Sequence, residues 1–346
     1  MKRKLLSLLL AALLLFTLAG CTGNNTGEAP EKTDGSQPTP PATTPQDDVT
    51  IRVAALKGPT AMGMVKLMED VDGGAAQSAC DFTLAGAPDE ITGSIIKGEF
   101  DIAAVPTNLA AVLYNKTEGQ VQLAALNTLG VLYIVENGDT VHSVEDLRGK
   151  TIYATGKGST PEYALNYVLN QNGLVPGQDV QVEYKTEHAE LAALLASGEA
   201  DLALLPQPFV TSVLAQNENA RQAIDLTAAW DEAAAGKSAL TMGCIVVQKE
   251  FAAQHPEALQ TFLAEYQGSV DYVNDGANLE AAAALTEKYD IIKAAVAQKA
   301  IPACNIVFIT GDEMQAMAAG FYDVLSQADP SAIGGQLPAD DFYYKG

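Results

Sequence analysis

The sequence copies itself at an offset of one hundred residues, with no gap between the copies. Lys57-Gly58-Pro59-Thr60 returns as Lys157-Gly158-Ser159-Thr160, each after a β-like run containing Ala54 or Ala154. Gly98-Glu99-Phe100-Asp101-Ile102-Ala103 returns as Gly198-Glu199-Ala200-Asp201-Leu202-Ala203, with Pro106 and Pro206 closing those runs and Glu90 matching Glu190 upstream. Gly-Glu-x-Asp is a common helix-to-strand turn, but both clusters fall in one register, which predicts a structural unit built twice. Within the unit, β-rich runs alternate with helical stretches. Val49–Leu56, Asp81–Leu84 and Asp101–Val105 read as strands, and Thr60–Asp70, Ala87–Lys97 and Asn108–Tyr114 as helices. Such alternation predicts a parallel sheet with crossover helices.

The expected fold class is therefore α/β, with two Rossmann-like lobes joined by a two-segment hinge. Gly130–Glu136 is a strand-like run leading toward Ser143–Leu147, and Thr241–Gln248 is another leading to a helix at Pro256. The chain is expected to enter the second lobe near residues 137–150 and to return near 236–244, since two crossing segments make a hinge rather than a loose linker. Lobe 1 is then 49–137 plus 241–346, and lobe 2 is 138–240. Pro256–Asn274, Leu279–Lys288 and Gly311–Ala328 read as helices completing lobe 1, with Cys304–Ile309 as a further strand.

The N-terminus has a different character. Lys2, Arg3 and Lys4 precede an apolar run from Leu5 to Leu18, too short to span a membrane and shaped like a secretory signal. Leu18-Ala19-Gly20-Cys21 resembles the bacterial lipoprotein box. On that reading residues 1–20 are a cleaved signal peptide and Cys21 is lipidated, since small side chains admit the peptidase and only a thiolate forms the thioether. An ordinary cleaved signal is the alternative. Residues 22 to 48 hold Pro30, Pro38, Pro40, Pro41 and Pro45 among polar and acidic residues, a composition expected of a disordered tether. The expected location is outside the cytoplasm, on the outer face of the cell membrane or in the periplasm, with lipid as the only membrane contact.

Composition excludes several functions. The net charge is −23, three units more negative once the leader's basic residues are removed. A body this acidic repels phosphate backbones, so nucleic acid is not a partner. Four Cys and three His offer little material for a metal site, and no metal or cofactor is expected. With Cys21 lipidated, Cys80, Cys244 and Cys304 are odd in number, so at least one is unpaired or intermolecular. There is no Gly-x-Ser-x-Gly elbow and no Walker loop, so no catalytic residues are assigned.

In open parallel sheets, ligands lie beyond the carboxyl ends of the strands, where helix N-termini present free amides. The repeat supplies such loops in pairs: Lys57–Thr60, Gly86–Asp89 and Pro106–Asn108 against Lys157–Pro161, Thr186–Ala189 and Pro206–Pro208. The candidate binding residues are Lys57, Pro59, Thr60, Ala87, Thr107, Asn108, Gly158, Ser159, Thr160, Glu187 and Gln207, with Thr241 and Met242 at the second crossing. Ser159 and Thr160 hydroxyls and nearby amides suit a carboxylate, sulfonate or polar ring substituent, although the same loop is also a well-capped helix start. Lys57 could neutralise an anion or simply be solvated. Glu187 beside His188 could meet a ligand or form a surface pair. Trp230, the only tryptophan, packs in the core by default.

Leu56-Lys57-Gly58-Pro59-Thr60, Ala85-Gly86-Ala87-Pro88-Asp89-Glu90, Asp101–Asn108, Gly156-x-Gly158-Ser159-Thr160-Pro161, Leu205-Pro206-Gln207-Pro208 and the run Val247–Ala258 together carry a resemblance. The chain resembles bacterial solute-binding lipoproteins of ABC importers, in the branch serving nitrate, sulfonates, taurine and the thiamine pyrimidine. The resemblance implies the type II periplasmic-binding-protein fold. It also implies a monomer that clamps a small-molecule solute between lobes and delivers it to an ABC permease and its ATPase. A membrane-tethered enzyme or a signalling receptor on the same scaffold is the alternative.

Overall fold

The computed structural model describes residues 49–346. The leader, Cys21 and the tether to residue 48 lie outside the described residues.

The chain runs β1 (Thr50–Leu56), α1 (Pro59–Met62), α2 (Val65–Asp72), β2 (Ala79–Ala85), α3 (Pro88–Ile96), β3 (Ile102–Pro106), α4 (Thr107–Lys116) and β4 (Val121–Leu129). It then crosses into β5 (Leu132–Asn137), β6 (Thr151–Ala154), α5 (Thr160–Gln171), β7 (Gln181–Tyr184), α6 (His188–Ser197), β8 (Leu202–Pro206), α7 (Phe209–Gln216), β9 (Ala220–Asp225) and α8 (Leu226–Ala234). It returns through β10 (Thr241–Gln248), α9 (Lys249–Gln254), α10 (Pro256–Asn274), α11 (Leu279–Lys288), α12 (Ala294–Ala300), β11 (Ile306–Ile309) and α13 (Gly311–Ala328).

The strands form two sheets, ordered β11-β4-β10-β3-β1-β2 and β7-β6-β8-β5-β9. The repeat in the sequence is a repeat in space. β2-β1-β3 and β7-β6-β8 are equivalent parallel triplets, each flanked by an antiparallel strand that has just crossed from the other lobe. β3 is fully buried and β1 is buried apart from Thr50 and Arg52, as strands covered on both faces are.

One expected boundary moves. Leu132–Asn137 pairs with β8 and β9, so it belongs to the second sheet and not to lobe 1. The first crossing is at Gly130-Val131, upstream of the expected 137–150, while the second falls at Ser238–Leu240 within the expected window. The helix expected over Thr60–Asp70 is broken at Gly63, where a Cβ would lie 3.1 Å from both Ile306 Cγ2 and Tyr266 Oη.

The lobes share a core. Trp230 of α8 is fully buried, with its ring 4.8 Å from Tyr167 of α5 and 5.5 Å from Phe321 of α13. The indole Nε1 donates to Ser238 O at 3.2 Å, which ties this spine to the second crossing. At the first crossing a Cβ on Gly130 would sit 2.3 Å from Thr227 Cγ2 and 2.8 Å from Thr227 Cβ, so only glycine lets α8 approach. Cys80, Cys244 and Cys304 are all free thiols, and burial pushes the Cys304 thiol up to about 12, so none is poised to react.

Candidate functional site

Where the carboxyl ends of both sheets meet, a cavity of about 70 Å³ lies between the lobes. Lobe 1 contributes Leu56, Lys57, Pro59, Thr60, Pro106, Thr128 and Met242 to its wall, and lobe 2 contributes Gly156, Ser159, Pro161, His188 and Pro206. Val131, at the first crossing, completes the lining. The volume is far below the roughly 300 Å³ at which pockets begin to take drug-sized molecules, so it suits a head group of a few heavy atoms.

Local sequence explains why these residues converge. Gly156 and Gly158 have φ of +71° and +76°, a left-handed turn that folds the chain back before α5. Ser159 then starts the helix, with Pro161 in its first turn, where a missing N–H costs nothing. Four prolines (Pro59, Pro106, Pro161 and Pro206) stiffen the wall from both lobes.

The lining hydroxyls are committed to the protein. Thr60 Oγ1 donates to Leu56 O at 2.7 Å, Ser159 Oγ to Gly156 O at 2.7 Å, and Thr128 Oγ1 to Asn127 Oδ1 at 3.2 Å. The Thr160 hydroxyl, expected to help hold an anion, instead donates across the cleft to Asn108 Oδ1 at 3.1 Å. The side-chain donors left at the wall are therefore Lys57 and His188. Lys57 Nζ lies 2.7 Å from Asp290 Oδ2. His188, the first residue of α6, pairs its Nδ1 with Thr155 Oγ1 and sits 5.2 Å from the Phe209 ring. Burial pulls its pKa down to about 4, so the imidazole is uncharged at neutral pH.

The structure brings Lys57, Pro59, Thr60, Ser159 and Met242 together around the cavity and leaves the other candidates off its wall. Asn108 and Thr160 are fully buried and hold the lobes to each other. The Asn108 N–H donates to Thr160 Oγ1 at 3.4 Å, and its Nδ2 donates to Gly158 O at 3.3 Å and Ala332 O at 3.0 Å. Thr107 and Thr241 are buried, with Thr107 O accepting from Tyr322 Oη at 2.9 Å. Gln207 Oε1 accepts from Thr211 N and Oγ1, which caps α7. Ala87 is the residue before α3, its N–H bonded to Glu90 Oε1 at 2.9 Å. Glu187 touches the other lobe at the rim, where a Cβ on Gly86 would lie 3.2 Å from Glu187 Cδ.

Sequence reasoning passed over Thr128 and Val131 as cavity walls, and weighed His188 only beside Glu187, as a ligand contact or a surface pair. Thr128 lies in β4, whose counterpart in the second sheet is β9, and Val131 lies at the first crossing. His188 was visible as the residue opening α6, the helix that matches α3.

Asn108 provides a direct test of the clasp. Asn108→Ala removes donors to two carbonyls and an acceptor for Thr160, which is expected to cost about 1–3 kcal/mol of lobe closure. Solute affinity, measured by calorimetric titration, is expected to fall about five- to 150-fold.

Comparison with known proteins follows the same lines. A family model described as ABC transporter, phosphonate, periplasmic substrate-binding protein matches residues 76–299. The chain is 26% identical over 125 residues to YtlA of Bacillus subtilis (strain 168), named as a binding protein; the match covers 35% of this chain and 37% of that one. The chain thus spans little more than a third of that curated relative's length. Among solved structures, an ABC transporter from Parabacteroides distasonis superposes with a TM-score of 0.68 at 22% identity, covering 86% of this chain and 99% of that one. The aliphatic sulphonate binding protein SsuA of Escherichia coli superposes with a TM-score of 0.67 at 16% identity, covering 86% and 92%. At such identities the superpositions establish the two-lobed type II periplasmic-binding-protein fold. The family model, matching well over half of the chain, places this protein in the family of periplasmic substrate-binding proteins of ABC transporters.

Proposed function

We propose that the protein captures a small solute bearing an anionic oxygen group between its lobes and delivers it, chemically unaltered, to an ABC permease driven by an ATPase. The observation that carries this reading is the small cavity walled by both lobes, with Lys57 as the one cationic side chain in its lining among the described residues and the N-terminal ends of α5 and α6 on one side. The family is a transport component rather than an enzyme class, and its members work outside the cytoplasm. The phosphonate in the family's description and the sulphonate in the SsuA name agree with an oxyanion head group.

We further infer that Cys21 carries the lipid that holds the body at the membrane, that residues 1–20 are removed before that, and that the protein acts as a monomer. Among the described residues no helix is long and apolar enough to cross a membrane.

Native mass spectrometry of the protein as purified, followed by a thermal-shift screen of sulfonates, phosphonates, carboxylates and pyrimidines, tests the reading. A true solute at a hundredfold excess over its Kd stabilises by about 2.7 kcal/mol and is expected to raise Tm by roughly 5 °C or more. Stabilisation by neutral pyrimidines alone would sink the oxyanion assignment.

A further inference from the structure

We propose that Thr128 is the lobe 1 hydroxyl that binds the solute, and that Asn127 and Tyr266 position its proton through a half-turn of the Asn127 amide. The proposal deepens the oxyanion reading above and rests on it.

Among the described residues three hydroxyls line the cavity, and their partners differ in kind. Thr60 and Ser159 donate to the main-chain oxygens of Leu56 and Gly156, which can only accept. Thr128 donates instead to Asn127 Oδ1 at 3.2 Å. A carboxamide carries an acceptor at one end and two donors at the other, so this partner can reverse its role. Of the three hydroxyls, Thr128 is the one whose proton can be released to a solute by a turn of its partner.

The arrangement seen leaves polar groups unsatisfied behind that wall. Asn127 is fully buried, and its Nδ2 finds no hydrogen-bond partner among the described residues. The same holds for the Oη of Tyr266, a fully buried residue of α10. The two side chains are neighbours: burial raises the pKa of the Tyr266 hydroxyl, and Asn127 is close enough to oppose that rise. Two glycines make the room. A Cβ on Gly63 would lie 3.1 Å from Tyr266 Oη, and one on Gly243 would lie 2.6 Å from Asn127 Oδ1 and 3.2 Å from Thr128 Oγ1. Buried polar groups are nearly always paired, so two orphans side by side beneath a binding wall call for a state that pairs them.

A half-turn of the amide supplies that state. Asn127 Oδ1 then faces Tyr266 and accepts a hydrogen bond from its hydroxyl, while Nδ2 faces Thr128 and donates to Oγ1. The Thr128 proton, displaced from Asn127, points into the cavity, where an anionic oxygen accepts it. A solute oxygen favours this state because it completes a chain of hydrogen bonds in which each polarises the next.

Calorimetric titration of the purified protein with methanesulfonate and with methylphosphonate tests the relay. Thr128→Val removes the hydroxyl at nearly constant shape and is expected to weaken binding about tenfold, whereas Thr128→Ser keeps it and stays within about threefold of wild type. Tyr266→Phe is the sharper variant, because the Tyr266 side chain does not line the cavity. It is expected to weaken binding about threefold in the wild-type and Thr128→Ser backgrounds and to leave it within about 1.5-fold in Thr128→Val, where the relay is cut. The denaturation midpoint of Tyr266→Phe without solute is expected to match or exceed that of wild type, because the lost hydroxyl has no partner in the arrangement seen. Unchanged affinity in Tyr266→Phe, equal weakening in all backgrounds or a lowered midpoint overturns the relay while leaving the oxyanion reading standing. Unchanged affinity in Thr128→Val does the same. Failure of both probes to bind the wild type overturns the two together.

Discussion

Gly130→Ala is expected to destabilise the protein by about 3 kcal/mol and to weaken solute binding more than any other single change in the cleft. The new methyl would lie 2.3 Å from Thr227 Cγ2, 2.4 Å from Thr227 Oγ1 and 2.8 Å from Thr227 Cβ. A rotamer change moves the first two atoms but not the third, which is fixed to the first turn of α8. Either β5 and α8 separate or the first crossing bends, and overpacking of this kind costs about 1–3 kcal/mol or more. Because Gly130 joins β4 of one lobe to β5 of the other, the strain falls on the lobe angle itself. Chemical denaturation is expected to show the loss of stability, and small-angle scattering a larger radius of gyration with and without solute. The double variant Gly130→Ala, Thr227→Ala removes the two shortest contacts and is expected to recover part of both. Unchanged stability and scattering in Gly130→Ala would show that the close approach is not needed.

Acid is expected to weaken the fold through His188. The imidazole has a pKa of about 4 in the folded protein against 6.5 for the ordinary side chain. Between those values the unfolded chain binds a proton that the folded one refuses, so stability is intact above pH 6.5 and declines as pH falls toward 4. The difference amounts to about 3 kcal/mol once both states have titrated, from 1.36 kcal/mol per pKa unit. Carboxylates titrate in the same window, so the comparison needed is between proteins. Denaturation of wild type and His188→Gln at pH 7.5 and 4.5 is expected to show a pH-dependent loss smaller in the variant by about 2–3 kcal/mol. Equal losses would mean that His188 is solvated in the folded state.

Much of the architecture was legible because the chain states it twice. β1, β2 and β3 and their counterparts β6, β7 and β8 follow the hundred-residue offset, and the elements Thr241–Gln248, Pro256–Asn274, Leu279–Lys288 and Gly311–Ala328 begin and end at the expected residues. What escaped was set by tertiary contact. Leu132–Asn137 has no local property that distinguishes one sheet from the other; its membership follows from pairing with β8 and β9. At the break, Gly63 packs closely against Tyr266 and Ile306, more than two hundred residues downstream. The site was legible at the level of loops and less so at the level of atoms. Hydroxyls at Thr60, Ser159 and Thr160 were sound candidates by type, but a sequence does not say where a proton points. Asn108 was placed near the solute, and its amide proves to be occupied by Thr160, Gly158 and Ala332.

The aromatic spine around Trp230 also bears on how this molecule can be watched at work. Its packing against Tyr167 and Phe321 joins the lobes beside the second crossing. A body pivoting about such a line moves least beside it and most at the distant edge. The sole indole is therefore a quiet observer, screened from solvent and close to the axis. Dyes attached at Gly86 and Glu187, which face each other across the mouth, would travel farthest and register each opening stroke.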